Sequence, residues 1–274
     1  MKISDLMNFL GENDIRPKKS LSQTFLVDGN ILRKIVNTAN VTASDRILEI
    51  GPGPGAITEL LLDAGADVIA IEMDPILGGK LKRLKGSLHV IIDDCMKVDV
   101  PSLFKDQKGK VVANIPYQLT APILAMLLPL HDSITSLTLV MQKEVAQRIV
   151  AKPHSKNYSP ISLLAQFYSE PKLAFSITPN SFYPKPKIDS ATVHFSLRKP
   201  PYACIETRFF HLVRTSFQQR RKMLTGSLRN ELPRDVIIDI LKKHKLPQTA
   251  RPENLTLEVF AELAMCPPPQ SGDS

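Results

Sequence analysis

The chain has 274 residues, 43% hydrophobic and 23% charged, which is enough apolar material for a packed core and too much for a disordered polymer. Lys and Arg outnumber Asp and Glu by 35 to 27, a formal charge of +8 that suits a polyanionic partner such as nucleic acid. No run approaches the ~20 apolar residues that span a bilayer, and charges interrupt the opening MKISDLMNFLGEND, so a cytoplasmic protein with no membrane contact is expected.

The first ~15 residues are expected to be loose, as chain ends often are. From Asp45 to Leu197, short β-branched runs alternate with amphipathic stretches, the pattern of an α/β domain on a mostly parallel sheet. Strands are predicted at 46–50, 67–72, 89–93, 110–114 and 136–141, with helix starts at Asp74-Pro75 and at Thr120. A helix over 159–168 precedes two further strands, 172–177 and 190–197, which have no helix between them and so should pair antiparallel. After Pro200 the apolar spacing is helical throughout, as in Phe209, Val213 and Phe217. The predicted domains are therefore 1–200, α/β with about seven strands, and 201–274, all helical, with a frayed tail at CPPPQSGDS.

The first strand runs into Gly51-Pro52-Gly53-Pro54-Gly55 and then a helix, the place where an open α/β sheet binds a nucleotide-like ligand. Gly51, Gly53 and Ala56 formally match the dinucleotide fingerprint G-x-G-x-x-A. A pyrophosphate needs backbone N–H donors there, however, and Pro52 and Pro54 each remove one. S-adenosylmethionine, cationic and free of phosphate, fits better. Glu49 stands at the loop, Glu72 ends the second strand where a carboxylate can accept both ribose hydroxyls, and Asp94, after the third strand, can accept from the adenine amine.

The fourth strand ends in Asn114-Ile115-Pro116-Tyr117, which resembles the N-[IL]-P-Y active-site motif of amino-methyltransferases. An exocyclic amine conjugated to a purine is a poor nucleophile. Hydrogen bonds from its N–H groups to the Asn114 side-chain oxygen and the Ile115 carbonyl would favour a pyramidal nitrogen with its lone pair aimed at the methyl. Pro116 fixes the turn, and Tyr117 offers a face for the base.

Further stretches resemble the ribosomal RNA adenine N6,N6-dimethyltransferase family, and within it the KsgA (RsmA) type that modifies small-subunit rRNA. Lys18-Lys19-Ser20-Leu21-Ser22-Gln23-Thr24-Phe25-Leu26 is similar to the family's K-[KR]-x-[FL]-G-Q-[NH]-F-L segment, with Ser22 in place of Gly and Thr24 in place of Asn or His. The resemblance implies that Gln23, Thr24 and Leu26 lie over the cofactor. Gln142-Lys143-Glu144-Val145-Ala146-Gln147-Arg148 is similar to Q-K-E-V-x-x-R, and Phe182-Tyr183-Pro184-Lys185-Pro186-Lys187-Ile188-Asp189-Ser190 to F-x-P-x-P-K-[VI]-D-S. In the second, Phe182 would stack on the far face of a flipped adenine; the alternative is a core aromatic. Gln219-Arg220-Arg221-Lys222 matches the family's Q-R-R-K string.

The resemblance implies a Rossmann-like methyltransferase that dimethylates two adjacent adenosines in the 3′-terminal hairpin loop of small-subunit (16S) rRNA, yields S-adenosylhomocysteine, and serves subunit biogenesis as a monomer on a pre-assembled small subunit. Lys18, Lys19, Arg220, Arg221 and Lys222 are the expected RNA contacts, the last three on one helical region. No metal is expected, because the six histidines and the separate Cys95, Cys204 and Cys266 show no ligand spacing. Two rivals remain: a large-subunit adenine methyltransferase of the antibiotic-resistance type, and a non-catalytic nucleic-acid-binding factor on the same fold.

Overall fold

The computed structural model describes residues 3–17, 23–105 and 107–268. Its strands are β1 Phe25–Leu26, β2 Arg46–Ile50, β3 Asp67–Glu72, β4 Leu88–Ile92, β5 Gly109–Asn114, β6 Ile134–Gln142, β7 Ser169–Ile177, β8 Phe182–Tyr183 and β9 Ser190–Leu197. Seven of them form one sheet in the order β4-β3-β2-β5-β6-β9-β7. The strands β4 to β6 run parallel, and β9 enters antiparallel to β6, with Gln142 opposite Ser190. Parallel strands covered on both faces read as unbroken apolar runs, and Ile47, Leu48, Val68, Ile71, Val111, Val112 and Leu139 are all buried.

The chain moves outward from β2 through β3 to β4 and then returns to β5 on the other side of β2. That reversal opens a crevice at the carboxyl ends of β2 and β5, where this class of sheet binds ligands. The short pair β1 and β8 is antiparallel, Leu26 opposite Phe182, and ties the Gln23–Leu26 stretch to the 182–190 loop.

By contacts, the chain divides into two compact units, 1–146 with 170–198, and 147–169 with 199–274. The second therefore takes a segment, 147–169, that sequence order alone assigns to the first. The reason is aromatic packing within the second unit: Phe167, on the helix Pro160–Tyr168, lies 4.6 Å between ring centroids from Phe209, on the helix Glu206–Gln218. Phe209 in turn packs edge-on against Phe260 at 6.2 Å.

Two other expectations are corrected. The chain start is not loose: Ile3–Glu12 is a helix whose Leu6 and Leu10 are buried with Phe25 and Leu77. The Q-R-R-K string does not lie in a helix either, because that helix ends at Gln218 and the next begins at Leu224. The tail from residue 269 lies outside the described residues.

Candidate active site

Behind the glycine loop lies a cavity of about 330 Å³. Its lining contains the predicted cofactor residues Gln23, Thr24, Leu26, Glu49, Gly51, Gly53, Glu72, Asp94 and Asn114, together with Ile115 and Pro116. The loop is held in shape by backbone that only glycine adopts without strain: Gly51 and Gly53 have φ of +66° and +57°. A Cβ on Gly53 would stand 3.0 Å from the ring of Phe25, which would have to shift by a few tenths of an ångström to admit it.

Glu72 organises the loop as well as facing the cavity. Its two oxygens accept from the Gly53 and Asp74 N–H groups, each at 2.9 Å, which leaves further lone pairs for hydroxyls. Burial raises the pKa of its carboxyl. Arg83 donates to the Pro54 carbonyl at 2.6 Å and so holds the loop from the outside. Asp94 caps a short turn through the Met96 N–H.

Glu49 is the most unusual group in the cavity. It is 2% exposed, and its Oε2 has no hydrogen-bond partner. Burial, joined by the neighbouring Glu72 and opposed by hydrogen bonding from Thr58, pushes its carboxyl up to about 8. A buried acceptor without a partner is costly, and a cationic ligand removes that cost. The donor-poor loop, its Gly53 N–H already given to Glu72, and its carboxylates thus fit a cationic nucleoside such as S-adenosylmethionine, and disfavour a pyrophosphate.

Asn114 ends β5 with its amide orientation fixed: Nδ2 donates to the Thr24 carbonyl at 2.9 Å. Its Oδ1 is buried and unpartnered. Since the nitrogen is already engaged by an acceptor, the oxygen is the atom left for an incoming donor. Tyr117 follows in a three-residue turn, half-buried, its hydroxyl 2.6 Å from Ser190 Oγ.

Phe182 is 3% exposed and belongs to one buried cluster with Leu26, Leu32, Val36 and Ile177, as the core alternative expects of the ligand-free protein. Arg220, its side chain 37% exposed, pairs through Nε with Glu253 at 2.6 Å, and another guanidinium nitrogen donates to the Lys156 carbonyl at 2.8 Å. Arg221 and Lys222 are exposed, whereas Lys18 and Lys19 lie outside the described residues. The cavity lining further includes Phe25, Met73, Asp93, Met96 and Gln118, which the sequence reading omitted. Asp93 was placed inside a strand, but β4 stops at Ile92 and leaves both aspartates at the strand end.

A carboxylate-rich nucleoside cavity at the switch point, with a poised amide acceptor on the adjoining strand, defines an S-adenosylmethionine-dependent methyltransferase that acts on an amine. Comparison with known proteins narrows the class. Residues 15–265 match the family model described as ribosomal RNA adenine dimethylase. The ribosomal RNA small subunit methyltransferase A of Protochlamydia amoebophila (strain UWE25) is 43% identical over 96% of this chain and 95% of its own, and that of Chlamydia caviae is 40% identical over 94% of each. A dimethyladenosine transferase from Plasmodium falciparum superposes with a TM-score of 0.75 at 26% identity, covering 87% of this chain and 95% of its own. The 23S rRNA methyltransferase ErmE shares the fold, with a TM-score of 0.69 at 24% identity over 87% of this chain and 97% of its own. The chain belongs to the ribosomal RNA adenine dimethylase family.

Proposed function

We propose that this protein dimethylates N6 of two adjacent adenosines in the 3′-terminal hairpin loop of small-subunit rRNA, acting in the cytoplasm as a monomer on a pre-assembled subunit. The observation that carries the proposal is the buried, unpartnered Asn114 Oδ1 beside the cavity. Bound S-adenosylmethionine supplies a methyl on a sulfonium sulfur and leaves as S-adenosylhomocysteine. The protein's part is to hold the amine. In the first transfer Asn114 Oδ1 accepts one N–H and the Ile115 carbonyl the other, the nitrogen lone pair turns toward the methyl, the N–C bond forms as the C–S bond breaks, and one N–H proton is released to solvent; in the second transfer the single remaining N–H keeps one of these two acceptors. Tyr117 supports one face of the extruded base. Glu72 holds the ribose hydroxyls, Asp94 the adenine amine, and Glu49 balances the positive charge. Gln23, Thr24 and Leu26 cover the cofactor, and Thr24 also fixes the Asn114 amide. Arg221 and Lys222, exposed in the second unit, contact rRNA phosphates.

Relatives at 40 to 43% identity carry the small-subunit name, whereas the large-subunit enzyme ErmE resembles this chain at 24%, which favours the small-subunit substrate. The test incubates the protein with labelled S-adenosylmethionine and under-methylated small or large subunits, then digests the RNA. Dimethyladenosine from small subunits is expected, and Asn114→Ala should abolish it while cofactor affinity stays within a few fold. Label confined to large-subunit RNA, or an Asn114→Ala protein of full rate, refutes the proposal.

A further inference from the structure

Ser190 Oγ and the Tyr117 hydroxyl lie 2.6 Å apart, and Ser190 is fully buried. Ser190 is the first residue of β9, paired in register with Gln142 at the end of β6. The residue before it, Asp189, is fixed twice by Lys143: its carbonyl accepts from the Lys143 N–H at 3.0 Å, and its carboxylate pairs with Nζ at 3.1 Å. The serine hydroxyl therefore sits on backbone anchored at its neighbour and in the β6–β9 ladder. Tyr117, by contrast, belongs to a three-residue turn and is only half-buried.

The tyrosine hydroxyl oxygen lies on the axis about which χ2 turns, so a bond to it fixes χ1 and with it the position of the ring, while the in-plane preference of the phenol O–H biases the ring plane. We propose that Ser190 is a positioning residue for methyl transfer, pinning the Tyr117 ring through its hydroxyl so that its face stands ready for the target base. The inference rests on the reading of Tyr117 as the stacking face. It gives the D-S end of the 182–190 loop a role in the chemistry. The loop's first residue, Phe182, is a core side chain, and its last fixes the stacking ring. A hydrogen bond of this kind secures a productive geometry that thermal motion would otherwise spread over several rotamers.

The experiment measures single-turnover methyl transfer to under-methylated small subunits at saturating S-adenosylmethionine, with cofactor affinity by calorimetry and melting temperature on the same preparations. Ser190→Ala is expected to slow transfer about five- to tenfold, or about 1 kcal/mol at ~1.4 kcal/mol per factor of ten, with cofactor affinity within twofold. Tyr117→Phe keeps the ring and loses the bond, so it should slow transfer similarly. The double variant should be no slower than either single one, because both remove the same contact.

A Ser190→Ala protein of wild-type rate overturns the proposal, as do losses that multiply in the double variant. It is equally overturned if Ser190→Ala loses cofactor affinity and melting temperature in step with rate, the mark of a merely structural bond. Tyr117→Ala separates the two levels of argument. If that variant is slow while Ser190→Ala is normal, only the positioning role fails; if Tyr117→Ala is itself normal, the stacking reading fails and takes the positioning role with it.

Discussion

Glu49→Gln tests the electrostatics of the cavity most directly. Burial raises the Glu49 carboxyl from 4.5 to about 8, so over that window the folded protein holds a proton that the unfolded chain has released. A raised acid stabilises the fold below its unfolded pKa and loses that contribution as pH rises through the folded one. At roughly 1.4 kcal/mol per unit, the ligand-free protein should lose on the order of 5 kcal/mol from this group between pH 4.5 and about 8. Glutamine is nearly isosteric and cannot titrate. Chemical denaturation of both proteins from pH 5 to 8.5 isolates the group, because other titrations cancel in the difference. The advantage of the Gln variant over wild type should grow with pH and level off above about 8; a pH-independent difference refutes the argument. The same logic governs binding. A cationic ligand beside Glu49 lowers its pKa, so wild type should release a proton near pH 7 when S-adenosylmethionine binds, and calorimetric enthalpies should vary with the buffer's ionisation enthalpy. The Gln variant should lack that component of the variation.

Gly53→Ala should weaken S-adenosylmethionine binding about tenfold, since a left-handed residue pays ~1 kcal/mol or more once it has a Cβ and this Cβ meets Phe25 at 3.0 Å; unchanged calorimetric affinity would contradict the loop geometry. Phe182→Ala should cost ~3 to 5 kcal/mol of stability and lower the melting temperature, while the folded fraction turns over within a few fold of wild type. A stable Phe182→Ala protein with slow chemistry would restore the stacking role that burial denies it. Reversing the charges of Arg221 and Lys222 should weaken binding to small subunits and flatten its salt dependence, because fewer counterions are released. Arg220→Glu should instead lower the melting temperature by setting a carboxylate against Glu253, and an equal salt effect from all three would refute that division.

How far the sequence could be read depended on the range of the interactions involved. The strands Arg46–Ile50, Asp67–Glu72 and Ser190–Leu197 were legible to the residue, since apolar runs and the turns that bound them are local properties. The cavity was legible for a related reason: in a parallel sheet the carboxyl ends of neighbouring strands meet at one rim, so Glu49, Glu72, Asp94 and Asn114, each at or within two residues of a strand end, could be gathered from strand boundaries. What stayed hidden was set by partners far along the chain. Nothing near Phe182 says that it pairs opposite Leu26 and joins the core. Nothing near Arg220 names Glu253, and the amphipathic Ile3–Glu12 is too short to hold a helix without Phe25 and Leu77 beneath it. Asn114 shows the division within one residue. Its identity and place mark the proposed reaction centre, but the aim of its oxygen is set by the Thr24 carbonyl, 90 positions earlier. On the proposed reading Thr24 would then serve the amine as well as the cofactor, because the carbonyl that engages Asn114 Nδ2 leaves Oδ1 as the acceptor.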